Sequence, residues 1–220
     1  MQALIISGGH LEDAFADSYR ERYPCDITIG VDSGMGYFYR KDLIPDYIVG
    51  DFDSVEPSVL HRFLDAKPQE GKKPIILQFQ PEKDETDTEL AIRTAIREGC
   101  DTIHLLGATG SRIDHMLGNI HLLGMAMEQG ITCIMADGHN RIRMIKDALV
   151  IKKDEQYGNY VSLLPFTPNV TGLTLKGFKY PLDGYTLECY HSLGVSNEIT
   201  KEQAEISFAD GVLVVVESRD

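Results

Sequence analysis

Short apolar runs recur along the first part of the chain, and a polar or glycine-bearing turn follows most of them. Ala3–Ile6, Ile27–Val31, Tyr47–Asp53, Ile75–Phe79, Thr102–Leu106 and Ile131–Met135 have the length and β-branched content of strands. Mixed polar and apolar stretches between them suit helices: Leu11–Tyr23, Tyr37–Lys41, Ser58–Leu64, a helix opening at Thr86, and Ile113–Gln129. Pro45 ends the second of these, and Pro57 fits the first turn of the third. Thr86 and Glu89 form a Thr-x-x-Glu capping box, and Leu90, Ile92, Ala95 and Ile96 supply the apolar face behind it. Gln69–Pro74 reads as a polar loop. Strands alternating with helices predict a parallel sheet covered on both faces. After about residue 138 the rhythm changes. Arg141–Ile145, Leu149–Lys152, Tyr160–Pro165, Gly172–Lys176, Tyr185–Cys189, Glu205–Phe208 and Val212–Glu217 read as short strands. Tyr157-Gly158-Asn159, Asp183-Gly184 and Asp210-Gly211 mark turns among them. This part predicts an all-β sandwich or barrel. The expected domains are 1–138 and 139–220.

Composition narrows the class. The chain has 220 residues, 43% hydrophobic and 25% charged, which is ordinary for a soluble protein with a sizeable core. Its formal net charge of −13 repels nucleic acid and anionic membranes. An anionic substrate would therefore need metal ions or locally placed Arg and Lys. Cys25, Cys100, Cys133 and Cys189 are widely spaced, with no Cys-x-x-Cys pair and no zinc pattern. Free thiols in a reducing cytoplasm are expected. Met1–Gly9 lacks a basic start and reads as a first strand rather than a signal peptide, and no apolar run reaches bilayer length.

The chemistry gathers where strands end. Tyr47-Ile48-Val49 runs into Gly50-Asp51-Phe52-Asp53-Ser54. Side chains on a strand alternate between faces, so Asp51 and Asp53 point to the same side. Paired carboxylates repel unless a cation sits between them, and hard divalent ions prefer carboxylate oxygens. Asp and Ser are also turn formers, so a solvated strand end fits the same letters. Asp32-Ser33-Gly34 follows the second strand in a similar way, and Gly8-Gly9 follows the first. Asp87 falls in a first helical turn, where the helix dipole alone would favour it, or it is a third acid facing the same crevice. Gly107-Ala108-Thr109-Gly110-Ser111-Arg112 joins a strand to a helix. Such a turn offers backbone N–H groups to phosphate, and Arg112 adds a bidentate donor. No Gly-Lys-Ser/Thr closes it, so it is not a P-loop. Asp114 and His115 stand in the next helix's first turn, with Asn119 one turn on.

Taken together, Asp51-Phe52-Asp53-Ser54, Lys83-Asp84-Glu85-Thr86-Asp87-Thr88-Glu89 and Gly107-Ala108-Thr109-Gly110-Ser111-Arg112-Ile113-Asp114-His115 closely resemble the thiamine pyrophosphokinase family in order and spacing. Gly194-Val195-Ser196-Asn197-Glu198 is a further match. The resemblance implies an α/β + β fold, with an N-terminal parallel-sheet (Rossmann-like) α/β domain followed by an all-β sandwich domain. It implies transfer of the terminal pyrophosphoryl group of ATP to the hydroxyl of thiamine, giving thiamine diphosphate and AMP, with Mg²⁺. It also implies a homodimer with active sites at the dimer interface. Asp51, Asp53 and Asp87 would then hold or face the Mg²⁺–triphosphate as the catalytic acids. Thr86, Arg112, Asp114, His115 and Asn119 would contact ATP, with Asp32 in the same crevice. Ser196 and Asn197 would help seat thiamine. Some members pack a tryptophan on thiamine, and this chain has no Trp. Phe178, Tyr180, Tyr185 and Tyr190 are candidates to replace it, and each also reads as ordinary sandwich core or surface.

Two other readings compete. A phosphatase with an aspartate nucleophile also places Asp-x-Asp at a strand end, but usually on the first strand, and here two strands precede it. It leaves the Gly107–Arg112 turn and Asp87 unexplained. A non-catalytic sensor of thiamine or nucleotide would have no need of all three acids and Arg112.

Overall fold

The computed structural model describes residues 1–53, 55–64, 73–80 and 84–220. Ser54, Lys83 and Gln69–Lys72, singled out above, lie outside the described residues. The chain divides into two compact units, Met1–Gly138 and His139–Asp220.

The first unit runs β1 (Gln2–Ile6), α1 (Asp13–Arg22), β2 (Ile27–Val31), a 3₁₀ turn over Asp32–Gly34, α2 (Met35–Arg40), β3 (Tyr47–Gly50) and α3 (Pro57–Leu64). It continues with β4 (Ile75–Gln78), α4 (Asp87–Arg97), β5 (Thr102–Leu106), α5 (Ile113–Glu128) and β6 (Thr132–Ala136). Its strands lie in the order β4-β3-β2-β1-β5-β6 and all pair in parallel. Parallel neighbours need a crossover, and the helices supply it. Because both faces are covered, the central strands are apolar nearly throughout: Ala3–Ile6 and Ile103–Leu106 are at most 2% exposed. Leu4, Ile6 and Ile48 join Tyr19 of α1, Tyr37 and Phe38 of α2 and Phe63 of α3 in one cluster. Ala3, Ile5 and Leu105 point the opposite way. On α4, which packs against β1, β2 and β3, Ala91, Ile92 and Ala95 are completely buried.

Strand order reverses between β1 and β5, with β2 to β4 on one side and β6 on the other. In an open parallel sheet that is where a crevice opens beyond the strands' carboxyl ends. The turns after β1 and β5 meet there, and their fit dictates glycine. Gly9 N–H donates to the Gly107 carbonyl at 2.6 Å and His10 N–H to the Thr109 carbonyl at 2.8 Å. A Cβ on Gly9 would stand 2.3 Å from the Thr109 oxygen, and one on Gly107, whose φ is +65°, would stand 2.4 Å from the Ser7 oxygen.

The second unit contains β7 (Asn140–Ile145), β8 (Leu149–Lys152), β9 (Tyr160–Pro165), β10 (Asn169–Lys176), β11 (Leu182–Glu188), β12 (Gln203–Ser207) and β13 (Leu213–Ser218). β7, β13 and β9 pair antiparallel in that order. β11, β10, β12 and β8 form a separate antiparallel sheet. Val161, Leu163, Leu213 and Val215 of the first set pack on Ile151, Leu173, Leu175, Leu187 and Ile206 of the second, which makes a sandwich. One turn signal reads differently in the fold. Asp183-Gly184 lies inside β11, where Gly184 (φ +61°) accompanies a register shift against β10, so the glycine serves a bulge rather than a chain reversal.

A buried charge cluster braces this unit. Glu217 is 0% exposed. Arg141 donates to it through Nε at 2.9 Å and Nη2 at 2.7 Å; Arg143 Nη2 and the Tyr157 N–H (3.0 Å) complete the shell. Antiparallel pairing sets Glu217 opposite Arg141 and Val215 opposite Arg143, so both arginines reach the same carboxylate. Burial pushes the Glu217 pKa up, but the Arg141 hydrogen bonds and the two guanidinium charges outweigh it, and the net shift is down.

Candidate active site

Three carboxylates converge at the ends of β2, β3 and the start of α4. Asp32, Asp51 and Asp87 each offer an oxygen within 4.8 Å of the others. Asp32 reaches this place through an unusual backbone, φ +44°, which a non-glycine residue adopts only when its surroundings enforce it. Gly50 makes the room, since a Cβ there would lie 1.9 Å from Asp32 Oδ1. That same oxygen is buried with no hydrogen-bond partner. Burial first, then the Asp87 charge and a hydrogen bond with Asp87, then the Asp51 charge, push the Asp32 pKa up to about 7, against a backbone hydrogen bond from Phe52.

Asp53 is placed differently from the alternation argument. β3 stops at Gly50, and Phe52 turns the chain with φ +67° while burying its ring. Strand alternation therefore does not extend to Asp51 and Asp53. Asp53 is exposed, and its backbone N–H donates to Asp51 Oδ1 at 3.1 Å. The acid that joins Asp51 and Asp87 is Asp32, from the neighbouring strand.

The donor set suits a hard divalent cation. It is all oxygen, closely gathered, and it contains one buried oxygen that nothing in the protein satisfies. Asp87 is held by α4, whose N-cap is Thr86: its Oγ1 accepts from Glu89 N–H at 3.2 Å. The reciprocal half of the capping box is replaced, because the Glu89 carboxylate turns to Arg93 at 2.7 Å.

From the acids a cleft of about 930 Å³ runs across the β1 and β5 turns. Ser7–His10, Gly107–Arg112, Thr86, Thr88 and Asp137 line it, with His115, Met116 and Asn119 from α5. Arg112 adds a guanidinium to this lining, beside the N-terminus of α5. Arg112 pairs with Asp114 through Nε (3.2 Å) and Nη2 (2.5 Å), and both side chains are mostly exposed. This pairing holds the Asp114 carboxyl down at about 2. Asn119 Nδ2 donates to the Ala108 carbonyl at 2.8 Å and so pins the glycine-rich turn.

Ser196 and Asn197 belong to the second unit. Ser196 is exposed in the left-handed region, φ +59°. Asn197 is buried: its Oδ1 accepts from Tyr180 N–H (3.0 Å) and Glu198 N–H (2.9 Å), and its Nδ2 donates to the Tyr180 carbonyl (2.8 Å). Its side chain thus clamps the backbone of Tyr180, a residue that is 60% exposed. Of the aromatic candidates, Phe178 is core, while Tyr180, Tyr185 and Tyr190 are exposed. Sequence reasoning did not single out Ser7, His10, Thr88 or Asp137. Their signal was position alone, just beyond a strand or within a first helical turn.

Residues 21–135 match the family model "Thiamin pyrophosphokinase, catalytic domain", and residues 148–213 match "Thiamin pyrophosphokinase, vitamin B1 binding domain". A thiamine pyrophosphokinase of Bacillus subtilis is 37% identical over 195 residues, 88% of each chain. The crystal structure of thiamine pyrophosphokinase from Bacillus subtilis superposes with a TM-score of 0.87 at 33% identity, covering 100% of both chains. That of the Geobacillus thermodenitrificans protein superposes with a TM-score of 0.84 at 29% identity, covering 100% of this chain and 98% of that one. With both family domains matched in order over the two units, this chain belongs to the thiamine pyrophosphokinase family of enzymes.

Proposed function

We propose that the trio Asp32, Asp51 and Asp87 holds Mg²⁺ against the triphosphate of ATP, and that the family's reaction takes place in the cleft beside it. In that reaction the thiamine hydroxyl oxygen attacks the β-phosphorus, AMP leaves, and thiamine diphosphate forms. The observation that carries the assignment is the three-acid cluster with its unsatisfied buried oxygen, set at the strand-order reversal next to a glycine-rich turn. When bound, Mg²⁺ supplies charge neutralisation at phosphate oxygens.

The chain's own residues do the rest. Backbone N–H groups of the Gly107–Arg112 turn, with Thr86, His115 and the Arg112 guanidinium, receive phosphate oxygens. Asp114 orients Arg112, and Asn119 keeps the turn in place by its bond to Ala108. Asp53, exposed one residue beyond Phe52, faces the triphosphate from the open side. A carboxylate of the cluster takes the hydroxyl proton as the O–P bond forms. The first unit is accordingly the ATP- and Mg²⁺-binding catalytic domain. The second is the thiamine-binding and dimerisation domain, with Ser196 and the Asn197-clamped Tyr180 offering a polar contact and a flat ring to thiamine. The exposed apolar side chains Tyr180, Tyr185, Tyr190, Leu193 and Val195 support a homodimer. Four free cysteines support a reducing, cytoplasmic setting. No helix among the described residues is long and apolar enough to cross a membrane.

Product analysis tests the reading. Incubation with ATP, Mg²⁺ and thiamine should yield AMP and thiamine diphosphate in step. ADP with thiamine monophosphate would make the enzyme a phosphoryl kinase. Free phosphate with an aspartyl-phosphate trapped on Asp51 would make it a phosphatase.

A further inference from the structure

Two hydroxyls next to the acids meet where no ligand contact has been assigned. Ser7 Oγ and Thr88 Oγ1 lie 2.6 Å apart. Both residues line the cleft, yet they are only 7% and 8% exposed. We propose that this pair is a positioning device for the acid trio: it fixes the first turn of α4, and with it Asp87, against the end of β1, on which the turn that carries Asp32 already rests. The proposal rests on the reading of the trio as a cation site.

The three acids come from separate elements and must be brought to one point. Asp32 is referenced to β1. Ser33 Oγ donates to the Gly8 carbonyl at 3.2 Å, and Gly34 lies so close to the end of β1 that a Cβ would stand 2.2 Å from the Ile6 oxygen. Ser7 is itself fixed, because its N–H donates to the Leu106 carbonyl at 2.8 Å. Asp87 has no strand to register it. It sits at the first position of α4, where the helix is held on one side by apolar packing, and apolar packing has no preferred direction. A hydrogen bond does. Thr88 follows Asp87 directly, so fixing its Oγ1 on Ser7 removes the roll and slide of the helix start that would swing Asp87 away from Asp32 and Asp51. The bond is buried, so water does not compete for it, and losing one partner strands the other hydroxyl. Ser7 is thus the common reference for β1, β5 and α4. Outer partners that orient metal-binding side chains typically change metal affinity by about 10–100-fold when removed.

The test is Mn²⁺ binding by the protein without nucleotide, read from the resonance signal of free Mn²⁺, in wild type, Thr88→Val, Ser7→Ala and Thr88→Ser. Thr88→Val keeps the shape and deletes the hydroxyl; Thr88→Ser keeps the hydroxyl. The proposal expects Mn²⁺ to bind about tenfold more weakly in Thr88→Val and Ser7→Ala, and near the wild-type affinity in Thr88→Ser. It also expects kcat to fall with little change in KM for thiamine. Wild-type Mn²⁺ affinity in Thr88→Val and Ser7→Ala, even with lowered melting temperatures, would reduce the pair to ordinary packing and overturn the proposal. Should Thr88→Val fail to fold, Ser7→Ala decides alone. Absence of Mn²⁺ binding in the wild type is the separate result that removes the cation reading itself, and the proposal with it.

Discussion

The two units each bury carboxylate oxygen, and they treat it in opposite ways. In the β unit, Glu217 is surrounded by Arg141, Arg143 and a backbone N–H, and its pKa lies below the usual range. In the α/β unit, Asp32 faces Asp51 and Asp87, and its pKa is pushed up to about 7. The first arrangement is complete within the protein. The second is an excess of one sign that a cation would complete. The difference teaches that burial of charge alone does not mark a functional site; the absence of internal compensation does.

The largest expected contrast comes from neutralising one acid of each kind. Asp87→Asn should cost on the order of a thousandfold in turnover, because it removes a charge that acts in a low-dielectric site. Thermal stability should stay at or above the wild-type value, since repulsion is relieved. Glu217→Gln should do the reverse. It leaves two arginines without their carboxylate and should destabilise the fold by about 3–5 kcal/mol, with turnover per folded molecule little changed. Denaturant titration beside steady-state kinetics measures both. Comparable stability losses in the two variants would erase the distinction. Asp53→Asn, outside the trio, should cost only about tenfold; a loss equal to that of Asp51→Asn would bring Asp53 inside.

A pH series sharpens the comparison further. Asp32 holds its proton more tightly folded (about 7) than unfolded (3.8), so its contribution to stability is present at low pH and is lost as pH rises through about 7. His104, buried against Tyr19, works in the opposite sense: burial lowers its pKa to about 4, so its contribution is present above 6.5 and lost as pH falls through about 4. The two slopes oppose each other between these values, so the informative quantity is a difference. Relative to wild type, Asp32→Asn should gain melting temperature steadily from pH 4 to pH 7, and added Mg²⁺ should close that gap. A gap independent of pH would mean Asp32 carries no strained charge.

The smallest effect concerns Arg112, which is exposed and paired with Asp114. Arg112→Lys should weaken ATP binding about fivefold, because a point charge cannot reproduce the guanidinium fork. Unchanged affinity by calorimetry would make it a surface ion pair like those elsewhere on the molecule.

Much of this contrast was legible in the sequence, and the remainder has identifiable reasons. Short apolar runs with a consistent period gave the strands of both units, because half-buried and fully buried strands leave different but local patterns. The Thr86 cap and the Gly107–Arg112 turn were readable because their chemistry is complete within a few residues. The pairing of Asp32 with Asp51 was not, since it depends on β2 lying beside β3, on left-handed backbone at Asp32 and Phe52, and on the room Gly50 leaves for the Asp32 carboxylate. Asp51 and Asp53 looked like partners only under the assumption that β3 continued past Gly50. The Glu217 cluster was invisible for a similar reason, because its arginines lie more than seventy positions away and meet it only through the register of β7 on β13.

That register has a consequence for biosynthesis. β13 is the central strand between β7 and β9, so the ladder that joins these two strands cannot form until residues 213–218 have been synthesised. Contacts of such long sequence separation form slowly, and strands waiting for a partner are prone to aggregation. The α/β unit faces no such delay, for its own last strand, β6, is complete by Ala136. A ribosome stalled one tunnel length beyond Ala136 should therefore already display a protease-resistant first unit, whereas the β unit should stay open to proteases until the final strand has cleared the exit tunnel.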